Sequence, residues 1–304
     1  MSRDDASTNF AHPRYWPVWL AIGAMHLAAW LPWGLKILVG KAIGLAAWRF
    51  AGRRRHITET NLRLCFPELD EQQHRALVRE TFIANGIGIM ETATAWCRDP
   101  EHLRHRVTFK GQEHMARVQA QGKGALIIGV HFSTLDLGGA LHSLFFPADA
   151  VYRPHDNPLF ERFMTRARNR IFGETIDRFD LRGVVRRIKA GHSVWYSPDQ
   201  DFGRDASVFA PFFGIPAATV KMTARIARMT GAPVMPLIFH RNPDNRTYTL
   251  EYLPPLENFP SDDEVADAAR VNAFIEGAIR RHPEQYLWLH RRFKTRPEGE
   301  PGFY

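Results

Sequence analysis

The chain has 304 residues and only two cysteines, Cys65 and Cys97. Two are too few for a disulfide framework or a four-cysteine zinc site, so the chemistry is expected to face a reducing compartment. No G-x-S-x-G elbow and no P-loop occurs, which leaves a serine hydrolase or an NTPase without support. Histidine is plentiful, yet His102 and His105 stand three apart with no third ligand in register, so no metal is expected. There is no internal repeat and no low-complexity tract. Acid is the scarcer charge, 32 Asp and Glu against 40 Lys and Arg, giving a formal +8. Such a surface selects anionic partners: nucleic acid, anionic lipid or an acidic protein.

Charge is missing altogether from Tyr15 to Leu35 (YWPVWLAIGAMHLAAWLPWGL). As one helix these residues would reach roughly 30 Å, about one hydrocarbon core. Trp16, Trp19, Trp30 and Trp33 lie near its ends, as in an interfacial aromatic belt. Pro17 suits a first helical turn, and Pro32 an exit or a kink. Residues 36–63 then carry seven Lys or Arg and one Glu. The pattern predicts an N-terminal membrane helix with the rest of the chain on the cytoplasmic side. Full spanning and shallow insertion both fit it. The division expected is a tail over 1–14, a membrane-anchoring and basic juxtamembrane segment over 15–55, and a catalytic domain over 56–304.

Beyond Ile57 the pattern turns helical up to Trp96, with Asp70 placed to cap a helix from Glu71. From Val107 short apolar runs alternate with amphipathic ones. Strands are expected at Ala125–Val130, Ala150–Tyr152, Ser193–Tyr196, Pro233–His240 and Tyr248–Leu253. Helices are expected at Leu135–Phe145, Pro158–Phe172, Leu181–Ala190, Ala218–Met229 and Asp262–Arg281. This is the grammar of an α/β fold with a mixed, mainly parallel sheet flanked by helices. In such sheets ligands sit at the carboxyl ends of strands.

The strand over 125–130 runs straight into His131-Phe132-Ser133-Thr134-Leu135-Asp136. Across a strand-to-helix turn His131 and Asp136 can meet, and the carboxylate can then fix the tautomer of a general-base imidazole. The same residues also fit a helix cap, with Ser133 as N-cap and Asp136 in the first turn. The helix over 158–172 aligns Arg162, Arg166 and Arg170 on one face and carries Arg168 as well. Such a face is either solvated or, beside His131, able to take phosphate. The strand ending at Tyr196 delivers Asp199 and Asp201 into a loop before Gly203, the look of a site loop. The tail from His290 to Arg296 is basic with one aromatic, but no nucleic-acid recognition module accompanies it, so no nucleic acid is expected.

These blocks together resemble a known family, the late acyltransferases of lipid A biosynthesis, within the wider lysophospholipid and glycerol-phosphate acyltransferase superfamily. The likeness runs through HPRYW at 12–16, NLRLCFPEL at 61–69, METATAW at 90–96 and GVHFSTLDLG at 129–138. It continues in VYRPHDNPL at 151–159, VWYSPDQDFG at 194–203, ATVKMTARIARM at 218–229 and PEQYLWLHRRFKTRPEG at 283–299. It is strongest toward the lauroyl-adding branch. One departure is Asp136, where some relatives have Glu. The resemblance implies His131 as base with Asp136 as its partner, and Arg168, Arg170 and Asp199 as substrate-binding. It implies an acyl-acyl carrier protein donor, a Kdo2-lipid IVA acceptor, no cofactor, and the cytoplasmic face of a bacterial inner membrane. A sibling acyltransferase with another lipid acceptor, or a non-catalytic membrane-tethered anion-binding protein, would share the charge and the anchor.

Overall fold

Strand β2, Leu126–Ile128, sits at the centre of the sheet, and its side chains divide strictly between two cores. Leu126 and Ile128 point into one cluster, Ala125 and Ile127 into the other, as period-two alternation in a doubly covered strand requires. The computed structural model describes residues 9–304. A 3-10 turn at Pro13–Tyr15 leads into α1 (Trp16–Trp30), α2 (Trp33–Phe50), α3 (Gly52–Cys65) and α4 (Glu71–Cys97). Then follow β1 (Val107–Lys110), α5 (Gln112–Ala120), β2, α6 (Leu135–Ser143), β3 (Asp149–Tyr152), α7 (Pro158–Ile171) and β4 (Thr175–Asp177). Next come α8 (Leu181–Lys189), β5 (Val194–Tyr196), β6 (Ser207–Phe212), β7 (Ile215–Val220) and α9 (Met222–Thr230). The chain closes with β8 (Val234–Arg241), β9 (Tyr248–Tyr252) and α10 (Glu264–Arg281).

Seven strands form one sheet in the order β1-β9-β8-β2-β5-β3-β4. Every neighbouring pair is parallel except β8 with β9. The mixed, mainly parallel sheet is the expected one. One layer of helices holds α5, α6, α7 and the end of α4; the other holds α3, α8, α9 and α10. Local signals set the helix starts as anticipated. Asp70 accepts from the backbone N–H of Gln72 and Gln73, and Gln73 reciprocates, a complete capping box for α4. Asn157 caps α7 with Pro158 at its first position.

Two expectations are corrected. Residues 207–220 form a separate β6–β7 hairpin, so the helix expected from Ala218 begins only at Met222. Its two-residue turn has positive φ at Phe213 and Gly214, the backbone of a type I′ turn. Phenylalanine at the first of those positions hides the turn from a reader looking for Asn or Asp.

The apolar run over 15–35 is likewise not one helix. Pro32 lacks an N–H and drives Leu31 out of the helical region, to ψ 148, so α1 stops at Trp30. Its 15 residues rise about 22 Å, short of a hydrocarbon core. Among the described residues no helix is long and apolar enough to cross a membrane. The ammonium of Lys36, buried in α2, binds the freed carbonyl of Ala29 at 2.7 Å and Thr94 Oγ1 at 2.8 Å. Both helices lie on α4. At the crossing of α2 and α4, Gly40, Gly44 and Gly86 bring backbones together; a Cβ on Gly86 would stand 2.2 Å from the carbonyl oxygen of Gly40.

Candidate active site

Parallel pairing of β2 with β5 brings the chain segments after residues 128 and 196 side by side. The first carries His131 and the second Asp199. Asp199 is fully buried. One of its carboxylate oxygens accepts from the backbone N–H of His131 at 2.9 Å, and the other bonds His131 Nδ1. That second bond places the ring proton on Nδ1 and leaves Nε2 as an unprotonated acceptor with no protein partner among the described residues. Burial pushes the imidazole pKa down, but the charge of Asp199 and its hydrogen bond outweigh this and hold it above the ordinary value. Asp136 adds to the rise and Arg168 opposes it. Burial pushes the Asp199 carboxyl up; the charge of His131 and the hydrogen bonds from its ring and backbone prevail and hold it below the usual carboxylate range.

The partner of the imidazole is therefore Asp199 rather than Asp136. Asp136 is engaged elsewhere. Its carboxylate accepts from Arg168 Nη2 at 3.0 Å and Trp96 Nε1 at 3.1 Å, with Thr92 Oγ1 at 3.5 Å. Nor is it part of a helix cap: Thr134 is the N-cap residue of α6 and makes no side-chain cap bond, and Ser133 Oγ is buried without a partner. Arg168 stacks over the Trp96 ring, 5.4 Å from its centre, so the Asp136–Arg168 pair is locked onto α4 beside the imidazole. Arg170 points away. It donates to the carbonyl of Trp96 at 2.6 Å and lines a different, larger cavity of 770 Å³ that lacks His131.

His131, Asp136 and Arg168 line a cavity of 340 Å³. Apolar residues line it (Leu135, Gly139, Met164, Phe172, Trp195) together with Arg153, Arg178 and Gln200. Among the described residues no three His, Cys, Asp or Glu side chains come together as a metal shell.

A third segment, unassigned by sequence reasoning, holds the imidazole loop in place. Phe132 bridges to Tyr286, Ser133 donates to the carbonyl of Gln285 at 2.7 Å, and Leu287 donates to that of His131 at 3.0 Å. Tyr286 Oη donates to the Asp199 carbonyl at 3.2 Å. Asp201 is held by Thr295 through backbone and hydroxyl, and its own N–H donates to His290 Nε2. Gly88 of α4 permits this close approach, since a Cβ there would stand 2.3 Å from the Ser133 carbonyl oxygen. Trp96 and Tyr286 fall inside the METATAW and PEQYLW blocks, so their positions were visible although their contacts were not.

A carboxylate-oriented imidazole with a free nitrogen, beside a cavity at strand carboxyl ends, is able to take a proton as a general base does. Comparison with known proteins supplies the class. The chain belongs to the bacterial lipid A biosynthesis acyltransferase family, whose model matches residues 3–295. It is 44% identical to a lipid A biosynthesis lauroyltransferase of Escherichia coli (strain K12), over 98% of each chain. A lipid A biosynthesis palmitoleoyltransferase of the same organism is 41% identical over 98% of this chain and 97% of that one. A lipid A biosynthesis myristoyltransferase, also from that organism, is 29% identical over 96% and 91%. The protein is thus an acyltransferase.

Proposed function

We propose that this enzyme moves a lauroyl chain from an acyl-acyl carrier protein thioester to the hydroxyl of a hydroxyacyl chain on Kdo2-lipid IVA. The observation that carries the reading is the free Nε2 of His131 beside the cavity, with Nδ1 tied to Asp199. Identity to the lauroyltransferase supports the choice of chain. His131 Nε2 takes the hydroxyl proton, and the alkoxide attacks the thioester carbonyl. The C–S bond breaks, the leaving thiolate recovers the proton from the imidazolium, and an acyloxyacyl ester remains. Asp199 stabilises the imidazolium. Arg168, braced by Asp136, is the cation for the developing oxyanion or for an acceptor phosphate. The backbone N–H groups of Ser133 and Leu135 are already spent on carbonyls of Gln285 and Phe132, so that turn offers few oxyanion donors.

A thioester is already activated, so no acyl-enzyme is required; bringing the two substrates together supplies the rest of the acceleration. The acceptor is a membrane lipid. In this reading α1 lies shallowly in the cytoplasmic leaflet of the bacterial inner membrane. Trp16, Leu20, Leu27 and Trp30 share one helix face and are each more than half exposed. Incubating the purified protein with mixed acyl-carrier-protein donors and Kdo2-lipid IVA, with mass spectrometry of the lipid, tests the reading. Addition of one C12 acyl group is expected. No acylated lipid, or acylation only of a glycerol-phosphate lipid, would refute it. His131→Ala is expected to abolish transfer with the fold intact.

A further inference from the structure

The cavity that holds His131 is lined by residues of α6 and α7 and by Arg178, which stands just before α8. The exposed apolar face of α1 belongs to the layer of α4 and α7, against which α1 packs. On the opposite layer α8 buries Gly183, Val184 and Ile188 and turns Arg182, Arg186 and Lys189 to solvent. Spaced i, i+4 and i+7, these three form one stripe along a helix about 13 Å long. Among the described residues none of the three has a carboxylate or hydrogen-bond partner, unlike Arg187 of the same helix, which is clamped by Asp149 and Glu174. The nearby acids Asp177 and Asp180 are spent on the N–H groups of Phe179 and Gly183.

The head of the stripe is physically joined to the cavity lining. Arg178, which lines the cavity, lies over the ring of Phe179 at 4.6 Å and over the ring of Phe202 at 5.5 Å. Phe202 also lines the cavity, and Phe179 is 78% exposed. A large exposed aromatic beside unpartnered cations is the make-up of an interface anchor with an electrostatic surround.

We infer that the α8 face, Arg182, Arg186 and Lys189 with Phe179 at its head, is the docking surface for the acidic carrier protein that presents the acyl thioester. This rests on the donor proposed above. Acidic side chains of the carrier meet the stripe, Phe179 packs against its apolar surface, and the thioester arm enters past Arg178 and Phe202. The lipid acceptor then comes from the side of α1, so the two substrates reach Nε2 from different faces and do not compete for surface.

The test is the variant Arg182→Glu/Arg186→Glu/Lys189→Glu, assayed with lauroyl-acyl carrier protein and, in parallel, with lauroyl-pantetheine, which lacks the protein. The expected result is a KM for the carrier-borne donor raised about tenfold or more with kcat unchanged. Kinetics with lauroyl-pantetheine should equal wild type, which also shows that the fold is intact. Added salt should raise the wild-type KM for the carrier-borne donor by screening attraction and lower that of the triple Glu variant by screening repulsion. Should the triple Glu variant not fold, the Gln triple variant is expected to show the same selective effect at smaller size. An unchanged KM for the carrier-borne donor overturns the surface alone. Loss of binding to anionic vesicles without a change in that KM assigns the stripe to lipid and also overturns it. Wild-type enzyme that uses lauroyl-pantetheine but not the carrier-borne donor overturns the donor reading and the surface with it.

Discussion

Replacing Asp199 by Asn separates the two carboxylates that compete for the role of imidazole partner. Asp199 accepts twice, from the N–H of His131 and from its Nδ1. An amide has one oxygen. If that oxygen keeps the backbone N–H, the NH2 faces Nδ1, the ring proton moves to Nε2, and the base is lost. The flipped amide sets a buried NH2 against the backbone N–H, at a cost of about 1–3 kcal/mol. The charge goes as well. A hydrogen bond to a charged group is worth about 1.5–3 kcal/mol, and its loss lowers the His131 pKa. In the wild type the pair holds the imidazole above its ordinary value, so the acid limb of the pH–rate profile should lie above about 6.5. In Asp199→Asn burial and the Arg168 charge act with only Asp136 against them, and the limb should move down from its wild-type position. At the optimum kcat should fall about 10²–10⁴-fold, the usual worth of an oriented general base. Single-turnover transfer measured across pH reads both effects. An unmoved limb with near-normal kcat would refute the assignment, as would Asp136→Asn producing the shift instead.

Asp136→Asn is expected to leave the acid limb nearly in place and to lower kcat by loosening Arg168; a kcat equal to wild type in the same assay would count against Arg168 as the site cation. Phe172→Ala should deepen the cavity and shift donor preference toward longer chains by about tenfold or more, since one methylene is worth about 10–200-fold, read by competition between C12 and C14 donors; an unchanged preference would place the chain elsewhere. Gly86→Val has no room against the Gly40 carbonyl and should lower the unfolding midpoint by several degrees, about 1–3 kcal/mol, in a thermal melt. The Trp16→Ser/Leu20→Ser/Leu27→Ser variant should release the protein from vesicles without altering its melt; retention on vesicles would show that α1 is not the membrane contact.

Much of the fold was legible because its signals are local. The apolar run of β2, the cap at Asp70 and the Asn157-Pro158 start of α7 each lie within a few residues, and each reads the same in the structure. The failures have a common cause. The hairpin at 207–220 turns on a positive φ at Phe213, a residue that does not announce it. The apolar run over 15–35 has the composition of one span, yet Pro32 cuts it and the buried ammonium of Lys36 closes the cut, a contact with Thr94 on another helix. Arg170 and Arg168 are two residues apart on one helix, and the turn of that helix alone sends one to the imidazole side and the other to the Trp96 carbonyl.

The sequence by itself determined the kind of sheet, the strand end that carries His131, and the family, because these follow from short-range periodicity and from blocks of residues readable in line. Only the tertiary structure decided which acid serves the imidazole. Asp136 is five residues from His131 and Asp199 is sixty-eight, but strand β5 inserts between β2 and β3 and delivers the distant carboxylate to Nδ1. Hydrogen bonding depends on separation in space, and in a parallel sheet that separation is set by strand order, which no local pattern encodes.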